Sequence, residues 1–198
     1  MEDENIEWNA QQAAALPLIS MLMEGKIEAA LIYHNPNHRG LRCVPLFSED
    51  IVLVGLPSVL GEASKDIRFG ELSKFDLVLD QKTHLLRQVI EEAAAKKRVK
   101  LNVRAEVNPL PAKRRLLDKG FCTIIPQNAF ARDIEAGAYV ARRVVSPRLP
   151  VTLYLLFPAK GSQAKLNIIL AAVSMGIKKA GVSSYLPLMK SGSLPSAQ

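Results

Sequence analysis

The sequence predicts an α/β fold with mostly parallel sheets, because short apolar runs alternate with segments of helical periodicity. The run Ile27–Tyr33 is almost continuously apolar, which is typical of a strand buried on both faces. From Gln12 to Glu24 the apolar residues recur every three or four positions and Gly25 follows, which is typical of an amphipathic helix ended by glycine. Strands that alternate with helices favour sheets covered on both sides.

The rest of the chain continues this alternation. Seven further segments have the composition of strands: Leu41–Phe47, Ile51–Leu56, Leu77–Asp80, Leu101–Val107, Cys122–Ile125, Tyr139–Val145 and Val151–Phe157. Five segments are predicted to be helical: Phe69–Lys74, a helix capped by Thr83 and running to Arg98, Pro111–Lys119, Gln127–Ala136, and Gln163–Ala180 capped by Ser162. We expect a loop at His34–Gly40, a turn at Ser48–Asp50, a linker at Leu60–Ser64 and a loosely ordered tail from Gly181.

Size and composition are those of a soluble globular protein. The chain has 198 residues, of which 48% are hydrophobic and 23% charged, enough for one sizeable domain or two small lobes. No apolar run approaches the roughly 20 residues of a membrane span, and the acidic start lacks the basic and apolar regions of a signal peptide. These features predict a cytoplasmic protein. Cys43 and Cys122 lie in apolar, strand-like contexts and are expected to be buried, inert thiols.

Positive charge is concentrated in the second part of the chain. Residues 1–60 carry a net charge of −5, and residues 61–198 carry +12. Lys96–Arg98 close a predicted helix, where cations complement the helix dipole. Lys113–Arg115 are interpreted as a solvated face opposite the apolar Leu116 and Leu117. No aromatic interleaving or recognition-helix pattern accompanies these clusters, so direct binding of nucleic acid is not predicted.

The residue patterns of common enzyme classes are absent from the sequence. It contains no phosphate-binding loop, no dinucleotide-binding glycine motif and no nucleophile elbow. His34 and His38 are four residues apart, but Pro36 denies them a shared helix face, and no cysteine or carboxylate completes a metal spacing. The pair Glu91–Glu92 is expected to form ion pairs on a helix surface. We therefore predict no enzymatic activity, no metal site and no cofactor.

One stretch carries a more specific signal. Gly120–Pro126, followed by Asp133–Gly137 and Arg142–Pro147, reads as a glycine turn, a β-branched strand stopped by proline, a helix ended by glycine and another strand. This order and spacing resemble the distal lobe of the effector-binding domain of LysR-type transcriptional regulators. The resemblance runs from about Leu22 to Ala180 and includes further segments: Leu22–Ile32, Pro45–Val54, Ile67–Leu72, Leu77–Leu79, Leu86–Glu91 and Glu106.

The resemblance implies a two-lobed fold like that of type 2 periplasmic binding proteins, with two crossover strands. The proximal lobe would comprise residues 1–56 and 151–181, the distal lobe 57–150, and a flexible tail 182–198. The family's helix-turn-helix and the first strand and helix of the proximal lobe have no counterpart in this sequence, so we expect an incomplete proximal lobe. A further departure is Cys122, which stands where family members usually have glycine.

For function, the resemblance implies an effector-sensing and dimerisation domain. Expected partners are a small, anionic metabolite and a second copy of the chain in a homodimer or higher oligomer. DNA would be reached only through a helix-turn-helix domain absent from this chain, and no membrane is involved. Two alternatives stay open at this stage: a periplasmic-type solute receptor, and a truncated decoy subunit that associates with full-length regulators.

Candidate ligand residues follow from a general property of open α/β sheets, which bind ligands beyond the carboxyl ends of their strands. The residues at those positions are Tyr33, Asn35, Lys82, Thr83, His84, Asn108, Leu110, Ile125 and Pro126. The hydroxyl of Thr83 and the backbone N–H groups after it are expected to hold a carboxylate, with Lys82 or His84 adding charge. The alternatives are that Thr83 is a plain helix cap and that Asn35 and Asn108, each before proline, only form turns.

Overall fold

The fold is described from a computed structural model, for residues 9–11, 13–33, 38–61 and 65–179. Within these residues the strands are β1 (Ala30–Tyr33), β2 (Leu41–Gly55), β3 (Ile67–Arg68), β4 (Leu77–Leu79), β5 (Val103–Glu106), β6 (Thr123–Pro126), β7 (Val140–Val145) and β8 (Pro150–Pro158). The α-helices are α1 (Ala15–Met23), α2 (Pro57–Leu60), α3 (Leu85–Lys97), α4 (Leu110–Leu117), α5 (Ala131–Glu135) and α6 (Gln163–Lys179). Two 3₁₀ helices span Phe69–Lys74 and Gln127–Phe130. Residues 34–37 of the predicted loop His34–Gly40 and the predicted tail from Gly181 lie outside the described residues.

Strand β2 is the element on which the two lobes are built. Residues Leu41–Asp50 pair with β8, and residues Ile51–Gly55 pair with β6 and β7 instead. The prediction of two strands separated by a turn at Ser48–Asp50 is therefore wrong. These three polar residues stay extended because each has a partner: the Ser48 hydroxyl lies 2.6 Å from that of Thr152, and Asp50 forms an ion pair with Arg148. The partner of the third, Glu49, is described below.

The prediction of an α/β fold is confirmed, but the prediction of mostly parallel sheets is wrong. Strands β1 and β2 are antiparallel to β8, and β6 and β7 are antiparallel to β2. Within the described part of the chain, parallel pairing is confined to β4 with β5, β7 with β3, and a bridge between Leu77 and Cys122. The reason is that the long strand β2 takes part in both lobes, and its described neighbours β6, β7 and β8 all run against it. The helical crossover expected for parallel strands is found in β4–α3–β5.

The core is divided in the same way as the strands. A large cluster of buried side chains joins the distal part of β2 to β4, β6, α3 and the 3₁₀ helices. In the proximal lobe, Leu155 and Phe157 of β8 pack towards α6, and Leu156 packs towards α1. This alternation is the two-residue period of a strand covered on both sides. Leu31 in β1 is 44% exposed, so β1 is not buried on both faces as predicted. The residue bounds of the lobes given above stay predictions.

Several predicted element ends agree with the backbone. Gly120 and Gly137 have φ angles of 92° and 73° and follow α4 and α5, a conformation in which glycine is favoured. Lys96 and Lys97 occupy the last turn of α3, and the Lys165 N–H points at the Ser162 hydroxyl at the start of α6. Among the described helices, none combines the length and apolar character that crossing a bilayer requires.

Candidate functional site

The carboxyl ends of three strands meet at one edge of the distal lobe. Strands β4 and β5 are parallel, and the Val78 N–H donates to the carbonyl oxygen of Cys122 at 2.8 Å, which places β6 on the other side of β4. The segments after these strands therefore lie at one edge. Asn108 joins two of them, because its Oδ1 accepts from the Gln81 N–H at 2.9 Å and its Nδ2 donates to Gln81 Oε1 at 3.3 Å. Sequence reasoning placed Asn108 at this edge but missed Gln81 as its partner.

The segment before α3 differs from its prediction. Thr83 does not cap the helix, because α3 begins at Leu85 and the residue in the capping position is His84, whose side chain makes no capping hydrogen bond. Thr83 lies in the preceding turn and, like Lys82, is exposed. The His84 Nδ1 atom lies 3.8 Å from Asp80 Oδ2 and is buried, with no hydrogen-bond partner among the residues that the structure describes. The predicted residues at positions 82–84 are thus together at the edge, with one unsatisfied ring nitrogen among them.

The remaining candidates divide between surface and core. Ile125 is 5% exposed, Pro126 is buried, and Leu110 is half-buried against the distal core. Pro126 pairs with Ile51, so the end of β6 lies beside the point where β2 changes partners. Asn35 lies outside the described residues. The role of all these residues in binding stays a prediction.

Glu49 connects this edge to the proximal lobe. Tyr33, the last residue of β1, donates from its hydroxyl to Glu49 Oε1 at 2.6 Å. The backbone N–H of Asn128, in the 3₁₀ helix after β6, donates to Glu49 Oε2 at 2.9 Å. Burial, reinforced by the nearby Glu49 carboxylate, raises the pKa of Tyr33 well above its ordinary value, so the phenol stays a neutral hydrogen-bond donor. Sequence reasoning identified Tyr33 but missed Glu49 and Asn128.

Behind the edge lies an ionic network that the sequence analysis did not predict. Lys113 was interpreted as part of a solvated face, and this is wrong: its side chain is 1% exposed and its Nζ lies 2.6 Å from Asp80 Oδ1. Arg87, with 3% of its side chain exposed, donates to the Asp80 carbonyl oxygen at 2.8 Å and pairs with Glu91 and Glu106. A signal was present, because Lys113 lies three residues after Leu110 and four before Leu117, on the apolar stripe of α4.

The two cysteines differ in environment. Cys122 is fully buried, and burial raises the pKa of its thiol to about 12, as expected for an inert residue. Cys43 is half-buried, and burial raises the pKa of its thiol to a smaller extent. Gly55 accommodates Cys122, since a Cβ at Gly55 would lie 2.7 Å from the Cys122 sulfur. Among the described residues no group of histidine, cysteine and carboxylate side chains has the arrangement of a metal site.

Comparisons with known proteins connect this geometry to a family. The chain is 24% identical over 152 residues to the HTH-type transcriptional regulator BbuR of Bordetella bronchiseptica, covering 76% of this chain and 47% of BbuR. It is 25% identical over 172 residues to the nitrogen assimilation regulatory protein nac of Klebsiella aerogenes, covering 83% of this chain and 55% of nac. The chain thus spans about half the length of these curated relatives.

Solved structures agree in fold. The effector binding domain of QuiR in complex with shikimate superposes with a TM-score of 0.71 at 18% identity, covering 84% of this chain and 80% of that domain's chain. The described residues therefore share the fold of this effector-binding domain. A family model of the LysR substrate binding domain matches residues 3–172. From the fold, its relatives and this match, the chain belongs to the LysR substrate-binding domain family.

Proposed function

We propose that this chain is the effector-sensing and dimerisation domain of a LysR-type transcriptional regulator, and that a small metabolite binds between its lobes. The observation that carries the proposal is that the loops after β4, β5 and β6 lie at one edge, beside the point where β2 changes partners from β8 to β6. Tyr33 reaches this point from the proximal lobe. This is where open α/β sheets bind ligands. The complex of the QuiR domain with shikimate supports a small-molecule effector.

An anionic group on the effector is supported by the segment before α3. Lys82 and Thr83 are exposed at the edge, and no ion pair of Lys82 is formed within the described part of the chain. The Tyr33 hydroxyl and the Asn128 N–H, by contrast, already donate hydrogen bonds to Glu49. We therefore place the anionic end of the effector at Lys82 and Thr83, and the remainder of the effector towards Asn108, Leu110, Ile125 and Pro126.

A thermal-shift screen against small carboxylates and amino acids tests this placement. A ligand present at a hundredfold its Kd is expected to stabilise the protein by about 2.7 kcal/mol, which is a rise in Tm of about 5–10 °C. The rise is expected to shrink strongly in Lys82→Ala. Lys119→Ala is the matched control, because Lys119 is an exposed lysine beyond α4, away from this edge, and it should keep the full rise. Equal loss in both variants, or none in either, would refute the assignment of Lys82.

We also propose that the chain self-associates. Strand β5 pairs with β4 alone and β1 with β8 alone among the described strands, and such edges invite pairing with another chain. Three large apolar side chains near the β1 edge are exposed: Leu16, Met23 and Leu31. DNA contact would be made by a helix-turn-helix segment of the regulator, and not by the lobes described.

Light scattering at about 10 μM tests self-association. The expected mass is twice the 21.7 kDa of the chain, or a higher multiple. A lysine in place of Leu31 would put a charge at the proposed interface, so Leu31→Lys is expected to shift the mass towards the monomer. Val59→Lys is the matched control, since Val59 is a similarly exposed apolar residue, 38% exposed, on α2. A monomeric wild-type chain would contradict the proposal.

A further inference from the structure

Glu49 lies in β2 just before the strand changes partners, and its side chain accepts hydrogen bonds from both lobes. One carboxylate oxygen accepts from the Tyr33 hydroxyl of the proximal lobe, and the other accepts from the Asn128 N–H of the distal lobe. The neighbouring Ser48 and Asp50 bond to other residues, Thr152 in β8 and Arg148 just before β8. Alternation along β2 places the Glu49 side chain on the opposite face from those of Ser48 and Asp50.

The two described groups that donate hydrogen bonds to the Glu49 carboxylate are both neutral. Among the described residues no lysine or arginine forms an ion pair with Glu49, and the half-buried Tyr33 stays protonated because its pKa is raised. The Tyr33 hydroxyl lies 2.6 Å from one carboxylate oxygen and the Asn128 N–H lies 2.9 Å from the other, so the carboxylate is bound through both of its oxygens. Tyr33 also packs against the distal core, so the contact fixes the position of one lobe against the other.

We propose that the Tyr33 hydroxyl and the Asn128 N–H form a carboxylate-binding site across the lobes, which the chain fills with its own Glu49. Glu49 thereby holds the lobes together without any bound ligand. A free carboxylate takes over the site when the Glu49 side chain is removed. The proposal does not depend on the identity of the effector, nor on Lys82 being its anchor.

Glu49→Ala provides the test, since acetate is the fragment that this substitution deletes. Acetate at tenfold its Kd is expected to raise the Tm of Glu49→Ala by about 3–6 °C over sodium chloride of equal ionic strength. Wild type and Glu49→Gln should show no such difference, because the site stays filled. The double variant Tyr33→Phe/Glu49→Ala should also show none, because one donor is gone. Small-angle scattering is expected to show a larger radius of gyration for Glu49→Ala, reduced again by acetate.

Two results would overturn the proposal. One is an acetate effect in Glu49→Ala no larger than that of chloride, and the other is an equal acetate effect when Tyr33 is also replaced. If Glu49→Ala does not fold, Glu49→Ser is tested in the same way with formate, because the serine hydroxyl takes the place of the glutamate γ-carbon and leaves room for the carboxylate alone. Because acetate is tested on Glu49 variants and effectors on the wild type, failure here leaves the proposed effector site unaffected, and the reverse also holds.

Discussion

Replacing Lys113 with methionine is expected to lower the free energy of unfolding by about 3–5 kcal/mol, because it leaves the buried Asp80 carboxylate without its counter-ion. The Lys113 and Asp80 side chains are only 1% and 8% exposed, and their charged atoms are 2.6 Å apart. Within the described residues Asp80 Oδ2 has only the His84 ring nearby, at 3.8 Å, which does not replace the lost ammonium group. A loss of this size is a large part of the stability of an ordinary domain.

Urea-induced unfolding followed by circular dichroism measures this loss. Lys119→Met removes an exposed lysine two residues after the end of α4, the helix that carries Lys113. This control is expected to change the free energy of unfolding by no more than about 0.5 kcal/mol. The double variant Lys113→Met/Asp80→Asn removes both charges and should recover a large part of the loss. A loss below about 1 kcal/mol in Lys113→Met would show that water reaches Asp80 and that the pair is not the buried contact described.

Phe130→Ala is expected to cost about 3–5 kcal/mol, the range for removing a fully buried aromatic ring. Phe130 is 0% exposed, and its ring meets that of Tyr139 edge-on with centroids 5.7 Å apart. The Arg114 guanidinium lies over the Phe130 ring, with its central carbon 5.2 Å from the ring centroid. Arg114 is held by Asp133, and Tyr139 donates to Asp118, so the cavity is not expected to collapse fully.

Phe130→Leu separates lost volume from lost aromatic contacts, because leucine fills much of the space. We expect it to cost less than half as much as Phe130→Ala, with about 0.5–1.5 kcal/mol of its cost due to the edge-on contact with Tyr139. Urea-induced unfolding again provides the measurement. If Phe130→Leu and Phe130→Ala lowered the free energy of unfolding equally, the lost aromatic contacts would account for more of the cost than the lost side-chain volume. If Phe130→Ala stayed within about 1 kcal/mol of wild type, Phe130 would not be the core residue described.

Local patterns predicted most elements but not how β2 continues. Ser48, Glu49 and Asp50 have the composition of a turn, and nothing adjacent in sequence argues otherwise. What keeps them extended are contacts with Thr152, Tyr33, Asn128 and Arg148, which are distant along the chain or on another lobe. The same limitation explains the error in strand direction, since alternation of strands and helices indicates neighbours along the chain and not which strands cross between lobes.

For the candidate site, local sequence patterns predicted which residues lie at the edge of the distal lobe, but not the ionic network behind that edge. Position after a strand was enough to select Tyr33, Asn108 and the segment at 82–84, because that property is local. Lys113 was assigned to the solvent because a cluster of three basic residues is usually hydrated. Its partner Asp80 is 33 residues earlier, at the end of a strand, and only the folded chain brings the two together.

The unbroken course of β2 also determines where the length of this chain can change. A residue inserted near Asp50 would turn every following side chain of the strand to the opposite face, and Ile51 and Leu53, both fully buried, would exchange places with their neighbours. The pairing of Ile51 with Pro126 and of Val52 with Arg143 would be lost at the same time. In natural variants of this domain, insertions and deletions should therefore fall in connecting loops, whereas the distance from Leu41 to Gly55 stays constant.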